Sequence, residues 1–168
     1  MADPSGPNGL SRPARALVYG LAGWCSEILT TGLRSHGRDS DWRLTGTTYL
    51  WMLPVYGSAA SLFEPAHAAA RRAGWPWWAR GVVWTAAIYA VEAGSGEALR
   101  ALTGEIPWDY RRPRGRKPEP RTWRGLVRPA YAPVWFAVGL GMERLHDVLD
   151  RIHLDSPAAP APKMRDSA

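Results

Sequence analysis

Leu44–Phe63, LTGTTYLWMLPVYGSAASLF, runs for twenty residues without a charge, between Arg43 and Glu64. As one helix it would reach about 30 Å, the thickness of a bilayer core. The chain around it has a mean hydropathy of −0.27, the value of a soluble protein. The fold class depends on which of these two signals governs. Pro54 and Gly57 would kink such a helix, which a membrane span tolerates when neighbouring helices satisfy the freed backbone groups.

Three further apolar blocks flank this one. Block one covers about 15–33 and carries Glu27; block three covers about 77–102 and carries Arg80, Glu92, Glu97 and Arg100; block four covers about 125–149 and carries Arg128. All are too long for single strands and lack period-two alternation, so they read as helices. The tails 1–13 and 155–168 are polar and proline-rich and read as disordered. The apolar run after Arg12 and Arg15 imitates a secretion signal, but Trp24 precedes Cys25 where a small residue is needed, so the segment reads as retained. The expected organisation is a single helical membrane domain over 14–154, with a basic loop at 111–124.

Ten tryptophans against two phenylalanines support a membrane. Six of them, Trp42, Trp75, Trp77, Trp78, Trp108 and Trp123, lie at block boundaries, where an interfacial aromatic belt would place them. The expected fold is therefore all-α: an integral membrane bundle of about four helices with an amphipathic C-terminal helix. That helix, about 142–154, has Leu145, Val148, Leu149 and Ile152 on one face and Glu143, His146, Asp150 and His153 on the other. The polar face reads as solvated rather than metal-binding, and the helix as lying along the membrane surface. Lys and Arg number ten in the two odd loops and nine in the tails and middle loop, which leaves the orientation unassigned.

Charged residues inside spans are expensive and usually face a partner or a cavity. Glu27 and Glu92 are thus candidates for a two-carboxylate cation or proton site. The competing reading is an internal ion pair with Arg80, Arg128 or Arg43. PWDY (Pro107–Tyr110) follows block three, with Asp109 as a turn anchor or an ion contact. The small residues Ala90–Gly96 allow helices to approach closely, within the chain, in a homo-oligomer or with another membrane subunit. Glu97 and Arg100 are spaced to pair on one helix. His36 and His67 have no ligand-like company in the sequence.

The basic loop holds Arg111, Arg112, Arg114, Arg116 and Lys117, suited to anionic lipid headgroups. A net charge of +6 would also suit nucleic acid. No recognition helix or stacking platform accompanies it, which disfavours that partner. The alternative reading remains a soluble basic helical protein that binds nucleic acid or anionic lipid through this cluster. No nucleotide-binding, hydrolase or metalloprotease motif is present, and no cofactor or metal is expected. The chain reads as a non-enzyme.

Several motifs line up together: GWCSE, GTTYLWMLPVYG, YAVEAGSGEALR, PWDY and GLVRPAYAPVWF. In these the chain resembles the ABC-transporter type IV (CmpB-like) membrane proteins and, more closely, the transmembrane protein 229 family, over about residues 20–145. The resemblance implies a multi-pass helical membrane protein, a transporter-like or scaffold subunit without its own ATPase. It implies no substrate. Its family-like positions are Glu27, Glu92 and Asp109, together with Gly46, Pro54, Tyr56, Gly57, Gly96, Trp108 and Tyr110. Glu97 and the arginine-rich loop depart from the family pattern.

Overall fold

A computed structural model describes residues 9–40, 42–111 and 121–152. Arg112, Arg114, Arg116 and Lys117 of the basic loop, His153 and the tail 155–168 lie outside the described residues. Helix α1 runs Arg12–Asp39. Ser11 caps it by accepting from the Ala14 N–H at 3.4 Å, and Pro13 sits in its first turn, where no backbone donor is needed. These two residues start the helix within the tail expected to be disordered. Ser40 ends it in the left-handed conformation, donating its N–H to the His36 carbonyl at 2.7 Å.

The opening stretch does not form one kinked helix. Residues 44–50 form no helix and lie along α1. Glycine and clustered threonines favour helix weakly, and α1 offers the backbone other partners. Thr31 Oγ1 accepts from the Thr47 N–H at 2.8 Å and donates to the Thr47 carbonyl at 3.0 Å. The Trp24 indole donates to the Tyr49 carbonyl at 3.0 Å. Gly46 is required here, because a Cβ would collide with the Ile28 carbonyl on α1. Helix α2 (Met52–Gly57) and helix α3 (Ala59–Arg72) follow, joined by Ser58 in helical dihedrals. Pro54 lies in the first turn of α2 and so breaks nothing. Gly57 marks a close approach, since a Cβ there would stand 2.9 Å from the Ala16 carbonyl.

Helix α4 (Trp77–Thr103) ends at Gly104, left-handed at φ 76°, whose N–H reaches the Arg100 carbonyl. After residues 104–111 and 121–128, a 3-10 turn at Pro129–Tyr131 leads into helix α5 (Ala132–Leu149). The expected amphipathic C-terminal helix is the second half of α5, packed in the bundle. Pairs along the helices fix the directions. Tyr19 meets Ala60 and Arg15 meets Glu64, so α3 runs against α1. Gly139 abuts Trp84 and Glu143 meets Arg80, so α5 runs against α4. Arg15, near the start of α1, pairs at 2.8 Å with Asp150, just past α5. The four helical blocks therefore alternate up and down.

An apolar core that includes Tyr19, Phe63, Trp84 and Leu149 shares the interior with an unusual number of charged and polar side chains. Arg15 (3% exposed), Glu64 (7%), His67, Arg80 and Glu143 are buried. Leu17, Leu21, Leu29 (66%) and Leu33 (63%) of α1 point outward, as do Val82 of α4 and Val148 of α5. Six tryptophans are exposed, five of them among those at block boundaries. Among the described residues, no helix is long and apolar enough to cross a membrane.

Candidate functional site

Glu27 stands near the middle of α1 and Glu92 near the middle of α4. Both open onto one cavity of about 1350 Å³ between the helical blocks and the segment 103–110. Asp109, Tyr56, Trp108 and Tyr110 line it too, so the three acidic candidates and three of the motif aromatics meet in one chamber. Gly46, Pro54, Gly57 and Gly96 do not line it. Gly96 instead leaves room for Leu126 and the Trp108 ring, while Ala90 and Gly94 face outward. The chamber narrows onto Phe63 and Trp84, part of one buried cluster.

The two glutamates are held differently. Glu27 Oε2 accepts from Thr48 Oγ1 at 2.7 Å and from the Tyr56 hydroxyl at 3.2 Å. Gly23 lets the Tyr56 ring lie against α1 and reach it. Glu92 Oε1 accepts from the Tyr110 hydroxyl at 3.0 Å. Its Oε2 is buried and without a hydrogen-bond partner, as is the Trp135 indole N–H beside it. Burial, and then the facing Glu92, pushes the Tyr110 hydroxyl above its ordinary value, so it remains a donor. Arg80, one of the expected ion-pair partners, is engaged by Glu143 instead.

Asp109 serves as an anchor. Its Oδ1 accepts from the Arg111 backbone N–H at 2.9 Å, and its Oδ2 from Arg111 Nη2 at 3.0 Å. The hydrogen bond to Asp109 raises the Arg111 guanidinium above its usual value. Tyr110 is pinned by its N–H to the Gly125 carbonyl at 2.8 Å. Glu97 pairs with Arg100, as its spacing suggests, and also with Arg124, both at 3.1 Å. Arg34 and Arg128 lie over the Tyr131 ring, 5.5 and 4.7 Å from its centre.

A second cluster fills the opposite end, and sequence reasoning missed it. Arg80 grips Glu143 through two hydrogen bonds of 2.7 and 2.8 Å, and the Trp84 indole adds a third at 2.8 Å. Arg15 Nε donates to Glu64 at 2.6 Å, and Arg15 Nη2 lies 2.8 Å from His146 Nδ1. With Nδ1 accepting, the neutral ring keeps its proton on Nε2, which faces Asp150 at 3.3 Å. His67 stands 3.4 Å from Glu143, and its ring is 5.0 Å from that of His146. Glu143 and His146 of the expected polar face therefore turn inward together with Leu145 and Leu149 of the apolar face, while Asp150 stays exposed. Hydropathy separates the two faces of a helix, but not inside from outside when the interior is charged. The intruding Arg15, Glu64 and Arg80 were the available signal.

Cys25 is exposed and not disulfide-bonded. Among the described residues, no group of three or more acidic, histidine or cysteine side chains is placed to hold a metal ion. No family model matches the chain, and no solved structure matches it.

Proposed function

We propose that this chain is a small multi-pass membrane protein whose helical blocks enclose a ligand chamber, a transporter-like or scaffold subunit without a catalytic cycle. The burial pattern carries the reading: a row of leucines on α1, with Val82 and Val148, turns outward while five charged or polar side chains are buried beside the apolar core. In water such a surface would be a liability, and in lipid it is the favoured arrangement. Exposed tryptophans at the ends of the helical blocks suit the headgroup level. The motif resemblance to the transmembrane protein 229 family points the same way.

The modest hydropathy of each helix fits this reading. Helix α1 is about 42 Å long at 1.5 Å per residue. Its average is lowered by Arg15, Glu27 and Thr31, none of which is fully exposed. Lipid meets only the outer face of a bundled helix, whereas a hydropathy window averages all round it. The test is expression with a fluorescent tag, followed by an alkaline wash of the membrane fraction. Retention that only detergent reverses is expected. Release as a monodisperse soluble protein would overturn the proposal and favour the basic-loop alternative.

A further inference from the structure

We infer that the chamber binds an organic cation, a protonated amine carrying an apolar body, with Glu92 as its counter-charge. The inference rests on reading the cavity as a ligand chamber. A volume of about 1350 Å³ is too large for a bare ion and exceeds the usual size of a small-molecule pocket. No metal-ligand group stands among the described residues. That volume suits an organic body.

Charge fixes its sign. The lining carries Glu27, Glu92, Glu105 and Asp109 against Arg34 and Arg128. Hydrogen bonding then selects among the acids. Glu27 already takes two hydroxyl donors on Oε2, and Asp109 is held by Arg111. Glu92 alone among these combines a hydroxyl donor on one oxygen with a buried second oxygen that has only the Trp135 indole N–H beside it and makes no well-aligned hydrogen bond. A buried acceptor left unmatched is costly, and an ammonium N–H is the donor that also neutralises the charge. Trp108, Tyr110 and Trp135 also line the chamber, and aromatic rings attract cations. The two arginines over Tyr131 show the same attraction within the chamber wall. Phe63, Val91, Val138 and Met142 offer the apolar body a surface.

Three probes of one shape test this: 4-phenylbutylamine, 4-phenylbutanol and 4-phenylbutyrate. Each is titrated into the detergent-purified full chain against a detergent blank, and tryptophan fluorescence is read. The amine is expected to bind about tenfold or more tighter than the alcohol, and the carboxylate not at all. Glu92→Gln should erase the amine's advantage while leaving the alcohol unchanged. The probe series on the unaltered protein decides the matter even if a variant fails to fold. Equal binding of amine and alcohol overturns the cation inference and leaves the chamber standing. Preference for the carboxylate, or binding of none of the three by a monodisperse protein, also overturns the inference. The alkaline wash judges the membrane reading separately.

Discussion

Glu27 keeps two hydroxyl donors on one oxygen, and each can be removed singly. Tyr56→Phe and Thr48→Val should each lower thermal stability by about 1–2 kcal/mol, the cost of withdrawing a donor from a buried or half-buried carboxylate. Calorimetry of the purified protein checks this, and the two losses should be less than additive because the donors share an acceptor. The Arg80–Glu143 pair makes larger demands. Both side chains are about one-tenth exposed. Arg80→Met or Glu143→Leu alone leaves the other charge buried, and should cost about 3–5 kcal/mol. Combining the two should recover most of the loss in the same melting experiment, because no charge is then stranded.

Between elements, the α1–α2 crossing depends on backbone approach. Gly57 faces the Ala16 carbonyl and has no room for a side chain. Gly57→Val should push α2 away and destabilise the protein by about 1–3 kcal/mol, seen as a lowered melting temperature. The four helical blocks were legible in the sequence because apolar runs of that length admit little else. The non-helical segment 44–50 was not. Its backbone is satisfied by Thr31 and Trp24, which are distant in sequence, and no local pattern announces such partners. Glu27 and Glu92 were picked out as a carboxylate pair, Asp109 and three motif aromatics singly, and the fold gathers all of them at one chamber. The charged cluster at the far end escaped because its α5 members mimic a solvated face. Recognising them required knowing what α3 and α4 bring against that face.

For the whole molecule, the alternation of four blocks has a geometric consequence. Arg15 and Asp150 meet, so the start of α1 and the end of α5 lie at the same end of the bundle. Across a membrane, both termini should then face one compartment. Tags placed at either end should respond alike to an impermeant protease or quencher added from one side. Opposite responses would rule out four crossings. The chamber and the charged cluster divide the interior along its length, and Trp84 belongs to both: its ring lines the chamber while its N–H holds Glu143.

That charged cluster also imposes an order on the chain as it is synthesised. Arg15 emerges first and meets Glu64 after 49 residues, when α1 and α3 can close on each other. Arg80 and Trp84 then wait about sixty residues for Glu143, and Arg15 waits 131 for His146. Until α5 arrives, two buried cations and an indole are short of partners. The last helix therefore acts as the latch of assembly, and a nascent chain stalled before it should stay open to quality control however complete its other helices are.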